Sequence, residues 1–124
     1  MHLHQILPAI VAGLGVADAL DEIAANESPS GREVLFLIDG LGDEVIAKYA
    51  EYIPTLSAFI KFGRVQTAFP STTATSLATL TTGSLPGAHG MLGYTVRVPR
   101  SNGRILNALK WDDRVDPTYW QPVP

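Results

Sequence analysis

The chain contains no cysteine, which removes disulfide staples and thiolate metal sites and leaves the redox compartment open. Basic residues are few and scattered, nine Lys and Arg against twelve Asp and Glu, for a net charge of −3. Without a basic run there is no footprint for a phosphate backbone, so nucleic acid is not an expected partner. Histidine is scarce as well: of three copies, two lie at the extreme N-terminus and none follows His89. No Gly-Lys-Ser/Thr sequence occurs, which excludes a P-loop. A long apolar run is also missing. Residues 1–16 come nearest, but they lack a Lys/Arg n-region, are interrupted by Pro8, Gly13 and Gly15, and are too short to cross a bilayer. This opening reads as a short helix packed on the domain. The expectation is a cytoplasmic protein without membrane association, with export as the alternative. His2 and His4 share the spacing of one strand face, yet so close to the terminus they read as filler.

What is present forms a core. With 46% hydrophobic and 17% charged residues over 124 positions, the composition is that of one ordinary folded domain. No internal repeat or low-complexity tract marks a second one. Two stretches carry chemistry. The first, Val34, Leu35, Phe36, Leu37 and Ile38, runs without alternation into Asp39, Gly40 and Gly42. A continuous apolar run suits a strand covered on both faces, as in a parallel sheet. Ligands of open α/β sheets gather at the carboxyl ends of such strands. Asp39 therefore stands where a metal or a ribose is held, or else it caps the following helix. A dinucleotide fold is disfavoured, because the glycine spacing after Asp39 is incomplete and Asp43 and Glu44 would face a pyrophosphate.

The second stretch, residues 67–83, is dense in hydroxyls, with Pro70 near its start and Gly83 at its end. Ala74, Leu77, Ala78 and Thr81 recur at helical spacing, and Ser71, Thr72 or Thr73 can begin the helix. Such a helix start offers free N–H groups and a positive dipole end to an anion. A hydroxyl of Thr72 or Thr73 placed there can attack what it binds; the plainer reading makes these residues caps.

Around these stretches, the apolar spacing of Val45, Ile46, Tyr49 and Ala50 predicts a helix over 43–52. Pro54 begins another, with Leu56, Phe59 and Ile60 on one face and Gly63 at its end. Residues 17–25 read as a short helix, 26–32 as a polar loop and 64–68 as a short β segment. Residues 94–98 and 104–111 flank a turn ending in Asn102-Gly103, a hairpin signal. The alternation of strand and helix predicts an α/β sandwich with a largely parallel sheet.

The ordered set Asp39-Gly40, Ile53-Pro54-Thr55-Leu56, Phe62-Gly63-Arg64-Val65, Phe69-Pro70-Ser71-Thr72-Thr73, Thr82-Gly83, Pro86 and His89-Gly90 resembles the type I phosphodiesterase/nucleotide pyrophosphatase family of the alkaline phosphatase superfamily. The resemblance implies an alkaline-phosphatase-like α/β sandwich and a hydrolase of small phosphodiester or nucleotide pyrophosphate substrates. It also implies two divalent metal ions, usually zinc. By position, Asp39 becomes a metal ligand, and Thr73 both a ligand and the nucleophile that forms a phospho- or nucleotidyl-threonine. The His89 position is conventionally not a ligand, and its expected role is structural. A phosphomonoesterase or sulfatase-like relative, or a non-catalytic binding chain, is the alternative.

The chain departs from the animal members at three places. Thr72 replaces a Lys, Thr75-Ser76 replaces Pro-Asn, and Tyr94 stands where an Asn helps to bind phosphate. The family's other metal ligands come from later sequence, and Asp112, Asp113 and Asp116 read as solvated turn residues. Residues 1–124 are therefore expected to be the N-terminal portion of a single alkaline-phosphatase-like catalytic domain.

Overall fold

The computed structural model describes residues 1–16, 32–59, 63–98 and 102–110. The expected helix over 17–25, most of the loop after it, Ile60, the middle of the hairpin turn, and Asp112, Asp113 and Asp116 lie outside the described residues.

The architecture is organised on one helix, α4 (Thr73–Thr82), which runs from an N-cap at Thr72 to Gly83 in the left-handed region. Its buried face presents Ala74, Thr75, Thr79 and Leu80. Two of these are polar and both are satisfied. Thr75 shares a 2.8 Å hydrogen bond with the Thr72 hydroxyl, and Thr79 shares one of 3.0 Å with His89 Nε2. Among the described residues no buried side-chain nitrogen or oxygen lacks a partner, as burial of polar groups requires.

The N-terminal segment is bound to this helix. A 3₁₀ turn (Leu3–Gln5) leads into α1 (Ile6–Gly13), and both pack on α4. Pro8 falls in the first turn of α1, where a missing N–H costs nothing. The segment is also stitched to the stretch that feeds α4. Leu3 N–H donates to the Gln66 carbonyl at 3.0 Å, and Gln66 N–H donates to the Met1 carbonyl at 3.1 Å. Together these bonds form a parallel bridge between His2 and Gln66. His2 and His4 are thus not loose filler: their rings stack with centroids 5.8 Å apart.

α2 (Asp43–Lys48) begins at the N-cap Gly42 with Asp43 and Glu44 in its first turn, a favourable arrangement for the dipole. The helix predicted over 43–52 is interrupted: after Lys48 the chain tightens into a 3₁₀ turn (Ala50–Tyr52). α3 (Pro54–Ser57) starts at its proline as expected. An exposed ion pair of 2.7 Å joins Arg64 to Asp43 and, so exposed, adds little stability. α5 (Pro86–His89) ends at Gly90, φ 73°. The predicted hairpin is present as β1 (Thr95–Arg97) paired antiparallel with β2 (Ile105–Asn107) in the register Val96↔Leu106. Asn102 and Gly103 both take positive φ at its turn.

The predicted largely parallel sheet does not form among the described residues. The sheet there is the two-stranded antiparallel β1–β2 pair, and the His2–Gln66 bridge is an isolated parallel contact. Residues 34–38, predicted as a buried strand, make no strand pairing, and Val34 is 90% and Phe36 82% exposed. The run is apolar without alternation. A strand, however, needs hydrogen-bonded neighbours at its edges and cover on its faces, and no described segment supplies them to residues 34–38.

The end of α4 shows how tightly the N-terminal segment is fitted. Gly83 has φ 63°, and a Cβ built there would lie 2.8 Å from Pro8 Cγ. Gly83→Ala is therefore expected to cost about 2 kcal/mol through left-handed strain and overlap. In a Pro8→Ala background the overlap is relieved and the cost should shrink. Urea midpoints of the two single variants and the double variant measure both.

Candidate active site

The sequence around the start of α4 assigns different work to adjacent threonines. Thr72 is extended (φ −98°, ψ 154°), and its Oγ1 accepts the Thr75 N–H at 3.3 Å. It is the cap. Thr73, the first helical residue, is thereby released from capping, and its hydroxyl donates to Asp39 Oδ2 at 3.1 Å. Residues 34 positions apart are brought into direct contact. The main-chain N–H groups of Thr73 and Ala74 lie in the first helical turn and have no acceptor within the helix. Both therefore remain as donors at the positive end of the macrodipole.

Asp39 is delivered by a turn. Gly40 follows it at φ 71°, a conformation that glycine adopts without strain. Because Gly42 is the N-cap of α2, the alternative in which Asp39 caps that helix is not realised. Its carboxylate faces Thr73 instead.

Asp39 and Thr73 lie on an open cleft of about 640 Å³, with Ser71, Thr72 and Ser76 along its polar side and Leu37, Leu77 and Leu80 along its apolar side. That volume suits a small ligand. Ser76 is linked to Thr67 across the cleft at 3.1 Å. None of the described residues lining the cleft is Lys or Arg. Leu3 also lines it; no local pattern singles this residue out, because its contact with Gln66 joins segments far apart in the chain. Tyr94 does not line it; its carbonyl accepts the Ala108 N–H at 2.7 Å beside the hairpin.

His89 is held away from this cleft in the structural role expected of it. Nδ1 accepts the Met91 N–H at 3.1 Å, so in the neutral ring the proton sits on Nε2, which donates to Thr79 Oγ1 at 3.0 Å. Burial lowers its pKa from the ordinary histidine value.

Among the described residues no group of three His, Cys, Asp or Glu side chains converges as a metal cluster. Asp39 and Thr73 do supply a carboxylate and a hydroxyl within 3.1 Å of each other. This oxygen pair is chemically suited to one side of a divalent-ion site, although a complete shell requires further donors.

The carboxylate of Asp39 thus meets the Thr73 hydroxyl at a helix start, two oxygen groups brought together from separate segments. The chain belongs to the type I phosphodiesterase / nucleotide pyrophosphatase family, whose model matches residues 34–124. No curated protein and no solved structure matches. The family has an alkaline-phosphatase-like α/β fold, acts as hydrolases on small phosphodiester or nucleotide substrates, and generally uses divalent metals. Among the described residues no helix is long and apolar enough to cross a membrane.

The His89 geometry sets a pH dependence. An unfolded histidine takes up a proton near pH 6.5, whereas folded His89, with its pKa lowered, stays neutral to lower pH. Its contribution to stability is complete above about pH 6.5 and is lost as pH falls through the folded-state value. Urea midpoints are expected to decline below that pH in the wild type and to decline less in His89→Gln.

Proposed function

We propose that the chain contributes the nucleophile and one metal ligand of a phosphodiester or nucleotide pyrophosphate hydrolase. In this reading residues 1–124 form the N-terminal portion of one alkaline-phosphatase-like catalytic domain. The observation that carries it is the Thr73–Asp39 hydrogen bond at the amino end of α4, where Thr72 is the cap and leaves the Thr73 hydroxyl to Asp39.

The chemistry follows from what surrounds Thr73. A threonine hydroxyl is a weak nucleophile until its proton is removed or its oxygen is bound by a cation. Asp39 holds that proton in a hydrogen bond, so it orients the oxygen and favours loss of the proton. Attack on phosphorus forms the Thr73 Oγ1–P bond and breaks the bond to the leaving oxygen, which departs with a proton from solvent. Water then cleaves the Thr73 ester and restores the hydroxyl. The N–H groups of Thr73 and Ala74 bind the non-bridging phosphoryl oxygens during both displacements.

A phosphate next to Asp39 places two negative groups together in a cleft without a basic side chain, which favours a divalent cation as the countercharge. Asp39 Oδ2 and Thr73 Oγ1 would hold such an ion, zinc being the usual one in the superfamily. Two ions of this kind supply Lewis-acid stabilisation of the attacking and leaving oxygens.

In the full-length protein, Thr73→Ala is expected to lower kcat/KM at least tenfold on a p-nitrophenyl phosphodiester, about 1.4 kcal/mol of transition-state stabilisation. Thr72→Ala should instead cost about 1 kcal/mol of stability as a lost cap. Acid-quenched enzyme should carry its phosphoryl group on Thr73 by mass spectrometry, and a label on any other hydroxyl refutes the assignment.

Asp39→Ala should lower metal content and turnover together. Full metal occupancy with unchanged kinetics would remove Asp39 from the ligand set.

A further inference from the structure

The hydroxyls of α4 are employed unequally. At its start Thr73 donates to Asp39, and Thr72 is engaged with the Thr75 hydroxyl and N–H. Near its end Thr81 and Thr82 donate to the carbonyls of Leu77 and Ala78, at 2.8 and 2.7 Å, the ordinary arrangement for a hydroxyl inside a helix. Ser76 does not follow it. Its hydroxyl shares a 3.1 Å hydrogen bond with that of Thr67, and both residues line the Asp39–Thr73 cleft.

Two hydroxyls carry two protons, and one bond between them uses one. Among the described residues neither side chain has another hydrogen bond, so the pair keeps one proton to offer to the cleft. That proton lies on the hydroxyl that accepts, and several features favour Ser76. It sits one turn along from Thr73, on the same face of the helix. Helical Cα–Cβ bonds tilt toward the amino end, which leans its side chain toward the opening. When Thr67 donates to it, the bond it receives also strengthens it as a donor. The main-chain donors stop short of this point: Thr75 N–H is given to the cap and Ser76 N–H to the Thr72 carbonyl at 2.8 Å. Donation to an anion from the backbone therefore ends at Ala74, and the half-buried Ser76 hydroxyl is the next donor along the helix. Ser71 lines the cleft as well, but from the exposed segment ahead of the helix.

We propose that Ser76 is a further substrate-contacting residue, its hydroxyl donating to a non-bridging oxygen of the bound phosphodiester, with Thr67 as the positioning residue that turns it to the cleft. This deepens the proposed function and rests on the Asp39–Thr73 cleft being the reaction site. The site has need of such a donor, because the phosphodiester is an anion placed beside Asp39 and none of the described lining residues is Lys or Arg. A hydroxyl contributes a hydrogen bond to the charged oxygen, and no bond to Ser76 forms or breaks in the reaction.

The test assays methyl p-nitrophenyl phosphate in the full-length protein as wild type, Ser76→Ala, Ser76→Thr and Thr67→Val. Ser76→Ala is expected to lower kcat/KM about tenfold or more, as for loss of a hydrogen bond to a charged group. Ser76→Thr keeps the hydroxyl and should restore most of that loss. Thr67→Val removes the same hydroxyl–hydroxyl bond but leaves the Ser76 proton, so its loss should be smaller than that of Ser76→Ala. A tie that only holds the segment to α4 would be broken alike from either side. Equal losses in Ser76→Ala and Thr67→Val, an unchanged kcat/KM in Ser76→Ala, or no restoration by Ser76→Thr overturns the assignment. Should Ser76→Ala fail to fold, Ser76→Cys, close in volume and a weak donor, takes its place in the comparison. The hydrolase reading depends on wild-type turnover and its loss in Thr73→Ala, whereas the Ser76 contact depends on the ranking of the variants, so the two fail separately. If the ester is not turned over, calorimetric titration with inorganic phosphate gives the same ranking as affinities. Weaker binding by Ser76→Ala than by Thr67→Val then supports the contact, and equal affinities or no binding by the wild type overturn it.

Discussion

The amino end of α4 is the constraint on which the rest of the described structure depends. A helix start leaves several N–H groups without partners, and here a single side chain, Thr72, satisfies the one at Thr75. The Thr73 hydroxyl is consequently free to meet Asp39, and the Thr73 and Ala74 N–H groups face the same opening. Had Thr73 been the cap, its oxygen would have been turned back onto the helix. The buried contacts behind α4 keep this end in place: Thr75 on Thr72, Thr79 on His89, and Pro8 against Gly83. None of these groups touches the cleft chemistry directly, yet each fixes the helix that carries it.

Magnitudes bear on whether the dipole alone could hold a phosphate beside Asp39. A helix start stabilises an anion by about 0.3–1 kcal/mol when exposed and by about 2 kcal/mol at most in favourable settings. Two like charges 4 Å apart repel by about 1 kcal/mol in water and by about 4 kcal/mol at the effective dielectric of a protein surface. The dipole therefore does no more than balance the repulsion between Asp39 and a phosphate. On the proposed reading, a divalent ion held by Asp39 would reverse the sign of the local field and activate the hydroxyl beside it. Among the described residues no basic side chain lines the cleft to share the load.

What could be read from the sequence was mostly what is encoded locally. The cap at Thr72, the glycine stop at Gly83 and the Asn-Gly turn of the hairpin each rest on a few adjacent residues, and each is present. The helix over 43–52 was less legible because apolar spacing does not register the tightening after Lys48. Residues 34–38 mark the limit of pattern reading: five apolar residues indicate a need for burial but do not name the segments that provide it. The Asp39–Thr73 contact was legible through the family resemblance, since no local rule joins residues so far apart. The pairing of His2 with Gln66 carried no signal at all. A three-residue contact between distant segments leaves no periodicity, and position near a terminus argued for mobility.

That unforeseen pairing joins a segment that precedes the family match to one inside it. The groups proposed for bond making and breaking, Asp39 and Thr73, fall inside the family match, whereas His2, Leu3 and His4 precede it. Chemistry at phosphorus demands the same donors whatever ester is attached, so it is tied to the motif-bearing strand end and helix start. Recognition of the attached group has no such demand and can be supplied by any segment able to reach the cleft wall. The N-terminal segment reaches it through two main-chain hydrogen bonds to Gln66, which depend on no side chain at positions 1–4. Its side chains can therefore vary without disturbing the docking, while Thr73 and Asp39 remain where they are.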